Sequence, residues 1–274
     1  VVRICVGHLR AKIVDDREWA PLNPGSFNDL LLRVVLPKCV QLQRLDLWCN
    51  KISAAGAVLL AVAVPQCAAQ LEELCLKLNG FGDADAGALA VALLQLTVLK
   101  RLDLSCNTIG DQGVATLAAV LPECASLQHL DLGYVDIGDG SAASLAAALP
   151  QCASLQHLVL KGNAILHEGA ASLAVALPQC ASLQHLDLGF NRIRAEGAAS
   201  LAFVLPECAS LQHLHLAGNE IGVDGAASLA FVLPLCASLQ HLDLDNNRIG
   251  YEGAASLAVA LPQCASLQHL DLRN

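Results

Sequence analysis

The chain has 274 residues, is 55% hydrophobic with 3% aromatic content, and carries a formal net charge of −9. No apolar run reaches the ~20 residues of a membrane helix. Residues 1–101 hold eleven Lys/Arg against nine Asp/Glu, whereas 102–274 hold five against sixteen; that balance excludes the basic stripe of a nucleic-acid footprint.

In chain order, Val1–Val6 is β-branched and reads as a strand, followed by a turn-rich loop at Trp19–Gly25. Ser26 is placed to cap a helix running through Val35 and ending at Leu36-Pro37-Lys38-Cys39. Residues 1–41 thus read as an N-terminal cap on a degenerate first repeat, since terminal repeats are atypical.

From Leu42 a period governs the chain. The octapeptide Ala125–Leu132 returns at 153–160, 181–188, 209–216, 237–244 and 265–272, always 28 residues on. A fixed period of this size means stacked supersecondary units, here eight full repeats and a ninth strand over 42–274. In the copy from Leu183, Leu186 and Leu188 point inward while His185 and Asp187 take the other face, as strand alternation requires. Gly197 is expected to open a helix whose apolar stripe is Ala198, Leu201, Ala202 and Leu205. Glu196 sits at its start, where a carboxylate suits the dipole, and Pro206 is expected to stop it. The second repeat is irregular over Asn79–Gly87, and the fourth has Val135 where the others have Asn.

The pattern Leu-x-x-Leu-x-Leu-x-x-Asn-x-Ile followed by Gly-x-x-x-Leu-x-x-x-Leu resembles the leucine-rich repeat of the ribonuclease-inhibitor type, a class shared with Ran GTPase-activating proteins and the arrays of nucleotide-binding immune receptors. The resemblance implies an α/β solenoid, a horseshoe with a parallel sheet on the concave face and α-helices on the convex face. It also implies a protein-protein interaction module, with a GTPase-activating or immune-receptor-type regulatory array, or a structural array with no dedicated partner, as alternatives.

Eight cysteines occupy one repeat position, Cys39, Cys67, Cys124, Cys152, Cys180, Cys208, Cys236 and Cys264. Copies one coil apart lie beyond disulfide reach, so they read as reduced, core-filling thiols of a cytoplasmic protein. The absence of Met and the stop after a strand read as a fragment of a longer protein.

Four residue sets bear on function. The Asn column (Asn50, Asn79, Asn107, Asn163, Asn191, Asn219 and Asn247) is structural, serving backbone groups where each strand turns outward. His129, His157, His185, His213, His241 and His269 form a column ~5 Å apart on the sheet face, beside Asp131, Val159, Asp187, His215, Asp243 and Asp271; it is either a functional surface or a passenger of repeat duplication. His213 and His215 share a face, but an open sheet lacks the outer-shell support of a metal site, so no metal, cofactor or catalytic residue is assigned and the chain is not expected to be an enzyme. Finally, the residues flanking each Asn vary freely between copies, which fits either a recognition rim or unconstrained drift. Trp48, Tyr134 and Phe190 are its candidate anchors. With Arg101, His185, Asp187, Arg192, His213, His215, His241, Asp243 and Asp245 they compose the candidate partner-binding face. Phe203 and Phe231, one coil apart on the outer helices and pointing partly outward, are expected to pack helix against helix, with a second binding patch as the alternative. The final strand is expected to be an open edge through which copies self-associate. Protonating seven imidazoles (the column plus His215) is expected to carry the face of repeats four onward from −3 to +4, the titration spread by mutual repulsion.

Overall fold

The computed structural model describes residues 2–7, 10–11, 41–52, 54–67 and 70–273. The loop at 19–25 and the helix expected from Ser26 lie outside them. The chain forms two compact units, Val1–Val135 and Asp136–Asn274.

In the first unit, β1 (Val2–Gly7) pairs parallel with β3 (Leu42–Asp46) and antiparallel with β2 (Arg10–Ala11). Helix α1 (Ala54–Cys67), β4 (Glu73–Cys75), α2 (Asp83–Leu93), β5 (Arg101–Asp103), α3 (Asp111–Ala118) and β6 (His129–Asp131) follow. Strands β3 to β6 are parallel, with Arg44, Glu73, Arg101 and His129 in register. The irregularity expected in the second repeat does not reach the backbone register: α2 starts four residues after Asn79, as α3 starts four after Asn107, and Phe81 is fully buried where other coils bury isoleucine.

The second unit alternates α4 (Asp139–Ala148), β7 (His157–Val159), α5 (His167–Ala176), β8 (His185–Asp187), α6 (Arg194–Val204), β9 (His213–His215), α7 (Gly222–Val232), β10 (His241–Asp243), α8 (Gly250–Ala260) and β11 (His269–Asp271). Its strands pair parallel one coil to the next, so residues 28 apart face each other. The core of each unit lies between strands and helices. Leu183, Leu186, Leu188, Ala198, Leu201, Ala202 and Leu205 are all buried, as alternation and helical spacing require.

Two local expectations are corrected. Helix α6 starts at Arg194, three residues before Gly197. Gly197 is there for packing: a Cβ would stand 2.5 Å from Ile193 Cγ2 and 3.1 Å from Ala170 Cβ in the preceding helix. Nor does Pro206 itself end the helix. The α-helix ends at Val204 and tightens into a 3-10 turn, Leu205–Glu207, with Pro206 in its first positions, where no donor is needed.

The cysteine column completes each turn. Cys208 Sγ–H donates to the Val204 carbonyl at 3.3 Å, and Cys180, Cys236 and Cys264 repeat the contact at 3.3, 3.3 and 3.4 Å. It serves carbonyls that a helix end leaves without an intrahelical partner. Burial pushes the Cys208 thiol up to about 12, with Cys180 and Cys236 up to about 11. These are inert core thiols, and Cys49 and every cysteine from Cys75 to Cys264 are unbridged.

Phe203 and Phe231 do not pack helix against helix. They are 80% and 82% exposed, and neighbouring helices instead approach through Gly197 against Ala170 and Gly225 against Ala198.

Candidate functional site

The second unit's sheet face carries the histidine column, and the parallel register dictates its geometry. Side chains at one strand position are brought to ~4.8 Å by the strand spacing, and flat rings close the remaining gap by stacking. Ring centroids of His157, His185, His213 and His241 are 4.1, 3.9 and 4.2 Å apart in sequence, with interplanar angles of 14°, 11° and 9°. The stack ends at His269, tilted 36° and 5.7 Å away. Near-parallel planes keep the ring-nitrogen lone pairs parallel, whereas a metal ion needs them to converge. Among the described residues no group of three metal-capable side chains forms.

Stacking disfavours protonation. Burial under its neighbours is the first cause and repulsion from adjacent imidazoles the second, and together they lower His185 to about 4 and His213 by a lesser amount. The expected reversal to +4 requires His185 and His213 to be charged, and it is therefore displaced to lower pH.

Beside the stack, the aspartate column is tied down locally. Asp187 Oδ1 accepts the Gly189 N–H at 2.9 Å, Asp243 Oδ1 the Asp245 N–H at 2.9 Å, and Asp271 Oδ1 the Arg273 N–H at 3.1 Å. His215 breaks this column, its Nδ1 3.5 Å from Asp243 Oδ2. The Arg273 guanidinium closes on Asp271 and holds its carboxyl below the usual range.

The rim is built by the asparagine column. Asn247 Nδ2 donates to the Leu216 and Asp245 carbonyls at 2.8 and 3.2 Å, while its Oδ1 accepts the Asn219 and Ile221 N–H groups at 2.8 and 3.3 Å. One amide thus satisfies buried backbone in two successive coils. To make that turn, the residue before the asparagine position adopts a left-handed backbone in all eight coils. It is Cys49, Leu78, Cys106, Tyr134, Gly162, Phe190, Gly218 and Asn246, with φ between 52° and 67°. Glycine suits this conformation, while other L-residues lose roughly 1–2 kcal/mol. Two coils use glycine; Tyr134 and Phe190 place an aromatic ring there, about half exposed. The Phe190 ring lies over Gly218, where a Cβ would approach within 2.9 Å, and the Lys161 ammonium sits 4.9 Å from its centroid, inside cation–π range.

The structure brings His185, His213 and His241 into one stack, with Asp187, His215 and Asp243 in the adjoining column and Phe190, Arg192 and Asp245 along the rim of the same unit. Trp48, Arg101 and Tyr134 belong to the first unit. There Arg101 follows the Arg44–Glu73 ion pair (3.1 Å) in register, and the Trp48 N–H donates to Asp46 Oδ1 at 3.1 Å. Beside Arg101, burial raises Asp131, with Asp103 adding repulsion. Lys161, Gly162 and Gly218 are among the rim positions that vary between copies; sequence reasoning missed the left-handed backbone of that rim and the Lys161–Phe190 contact. The signal was present, since Gly162 and Gly218 occupy the column of Tyr134 and Phe190.

Parallel strands, alternating helices, an asparagine ladder and a 28-residue pitch define a leucine-rich repeat solenoid of α/β type. The chain belongs to the leucine-rich repeat family, whose profile matches residues 38–61, 95–118, 123–146, 151–174, 179–202, 207–230 and 235–258, more than half of its length. Proteins of this family are in the main non-enzymatic arrays that bind other proteins. Comparison with curated proteins gives no match. Among solved structures, a similar chain is the leiomodin-1 actin-binding site 2 (ABS2), 21% identical with a TM-score of 0.38. The match covers 39% of this chain and 64% of that one, less than two thirds of its length, and it bears on neither partner nor mechanism.

Proposed function

We propose that this chain is a protein-binding module of the ribonuclease-inhibitor type, holding its partner on the sheet face and rim of residues 136–274. The observation that carries this reading is Phe190. A half-exposed aromatic occupies a left-handed position that glycine fills in both neighbouring coils. Backbone strain retained where the fold has an unstrained alternative points to a use for the side chain. Aromatic rings that are large, rigid and partly solvent-exposed supply the anchors of protein interfaces. His185, His213, His215, His241, Asp187 and Asp243 form the floor beside that anchor, and Arg192 and Asp245 its polar edge. The cysteine column supports a reducing compartment, and on that ground we assign the module to the cytoplasm.

Affinity capture with the full chain tests this. A genuine partner is retained by the wild type and by Glu196→Gln, on the helix side, and is lost from Phe190→Ser and Asp243→Asn. Equal capture by all four proteins removes the sheet face from consideration.

A further inference from the structure

We propose that the outward face of helices α5 to α8 is a self-association surface, and that its occupant is the same face of a second copy of this chain. One repeat position presents Val175, Phe203, Phe231 and Val259 on four consecutive helices, at 71%, 80%, 82% and 74% exposure. One helical turn earlier each helix carries alanine: Ala171, Ala199, Ala227 and Ala255. One turn later come Gln179, Glu207, Leu235 and Gln263, so Glu207 is the single charge in the lattice, and Leu235 adds further exposed apolar surface. None of these bulky side chains serves its own fold, because the buried stripe of each helix lies on the other side.

Size and periodicity identify the occupant. Packed helices lie ~10 Å apart, so the row spans about 30 Å. Two phenylalanines at roughly 150–200 Å² each, two valines, a leucine and the alanine row expose on the order of 600 Å². That is the upper end for a surface a monomer leaves bare, and close to the ~800 Å² per partner of a stable interface. A partner must match ridges of Val and Phe alternating with alanine hollows at the helix spacing, and a second copy has that period by construction. A two-fold axis along the row, between the Phe/Val line and the Ala line, seats each copy's knobs over the other's alanines. It runs the paired helices antiparallel and separates the two acidic rows of Glu168, Glu196, Asp224 and Glu252 rather than stacking them. An isologous contact of this kind closes on itself as a dimer.

The test is sedimentation velocity of the full chain over a wide concentration range. A concentration-dependent dimer that persists in high salt is expected, since the contact is apolar. Phe203→Glu/Phe231→Glu should weaken association by at least about tenfold with an unchanged circular dichroism spectrum, because both side chains are exposed. Phe203→Ser/Phe231→Ser should weaken it without adding charge. A monomer at every concentration overturns the proposal. So does a dimer that survives both pairs, as one formed through the β11 edge would. Neither result bears on the sheet face, so this surface and the proposed partner site stand or fall separately.

Discussion

The two units use one backbone register for different surfaces. In the first, the outward column reads Arg44, Glu73, Arg101 and His129, and charges of opposite sign meet as the Arg44–Glu73 ion pair at 3.1 Å. In the second, the equivalent column is five histidines, four of them stacked at about 4 Å. Parallel pairing fixes which residues meet, and side-chain identity alone decides whether the meeting is a salt-screened ion pair or a stack of imidazole rings. The units also differ beneath the surface. The second carries an asparagine at each rim turn from Asn163 to Asn247, whereas the first ends its ladder on Val135, fully buried.

Breaking the ladder should give the largest effect. Asn247→Ala removes an amide that makes four backbone contacts, three of them buried. At ~1–3 kcal/mol per group left unsatisfied, a loss of about 3 kcal/mol or more is expected in denaturant unfolding. Asn107→Ala should cost at least as much. Its Oδ1 accepts from Asn79 and Phe81 and its Nδ2 serves Leu76, Leu104 and Ser105, and the next rung, Val135, has no amide to compensate.

Acid should separate the units next. His185 is held near 4 in the fold, against ~6.5 for a free imidazole. Below ~6.5 the unfolded chain takes up a proton that the folded stack refuses, so stability falls as pH drops from 6.5 towards 4, and the slope ends below that. After discounting for solvent screening, a fall of roughly 5 °C in melting temperature between pH 7 and pH 5 is expected. Segment-resolved hydrogen exchange should show the lost protection in 157–271 and not in 42–131. His185→Gln with His213→Gln should flatten the dependence. Uniform loss across both units would mean that the stack is not its source.

A smaller gain should come from repairing the first unit. Val135→Asn returns the rung that in neighbouring coils receives two backbone N–H groups, here those of Asn107 and Ile109, and should add about 1 kcal/mol. An unchanged midpoint would show that those groups already have a partner.

Most of the fold was legible because burial here follows two periods. Leu186 and Leu188 alternate, Leu201 and Leu205 recur at helical spacing, and the 28-residue pitch places each copy on the last. Features set by contacts between coils were not. Gly197 reads locally as a helix start, yet it is Ile193 together with Ala170 in the preceding helix that forbids a side chain there. Phe203 reads as a contact between neighbouring helices, and only the direction of its helix face shows it bare. For the site, the histidine column was visible as a repeat, but its depressed basicity depends on ring overlap, which spacing cannot supply. The strain at Phe190 was written in the sequence as the glycines at 162 and 218, and becomes readable once the shared left-handed backbone is known.

That strain offers the most direct test of the binding face. Phe190→Gly relieves a left-handed residue worth roughly 1–2 kcal/mol and removes the anchor at once. The account predicts that the variant melts no lower than the wild type while capture of the sheet-face partner is lost. Undiminished capture by a folded Phe190→Gly protein would contradict it.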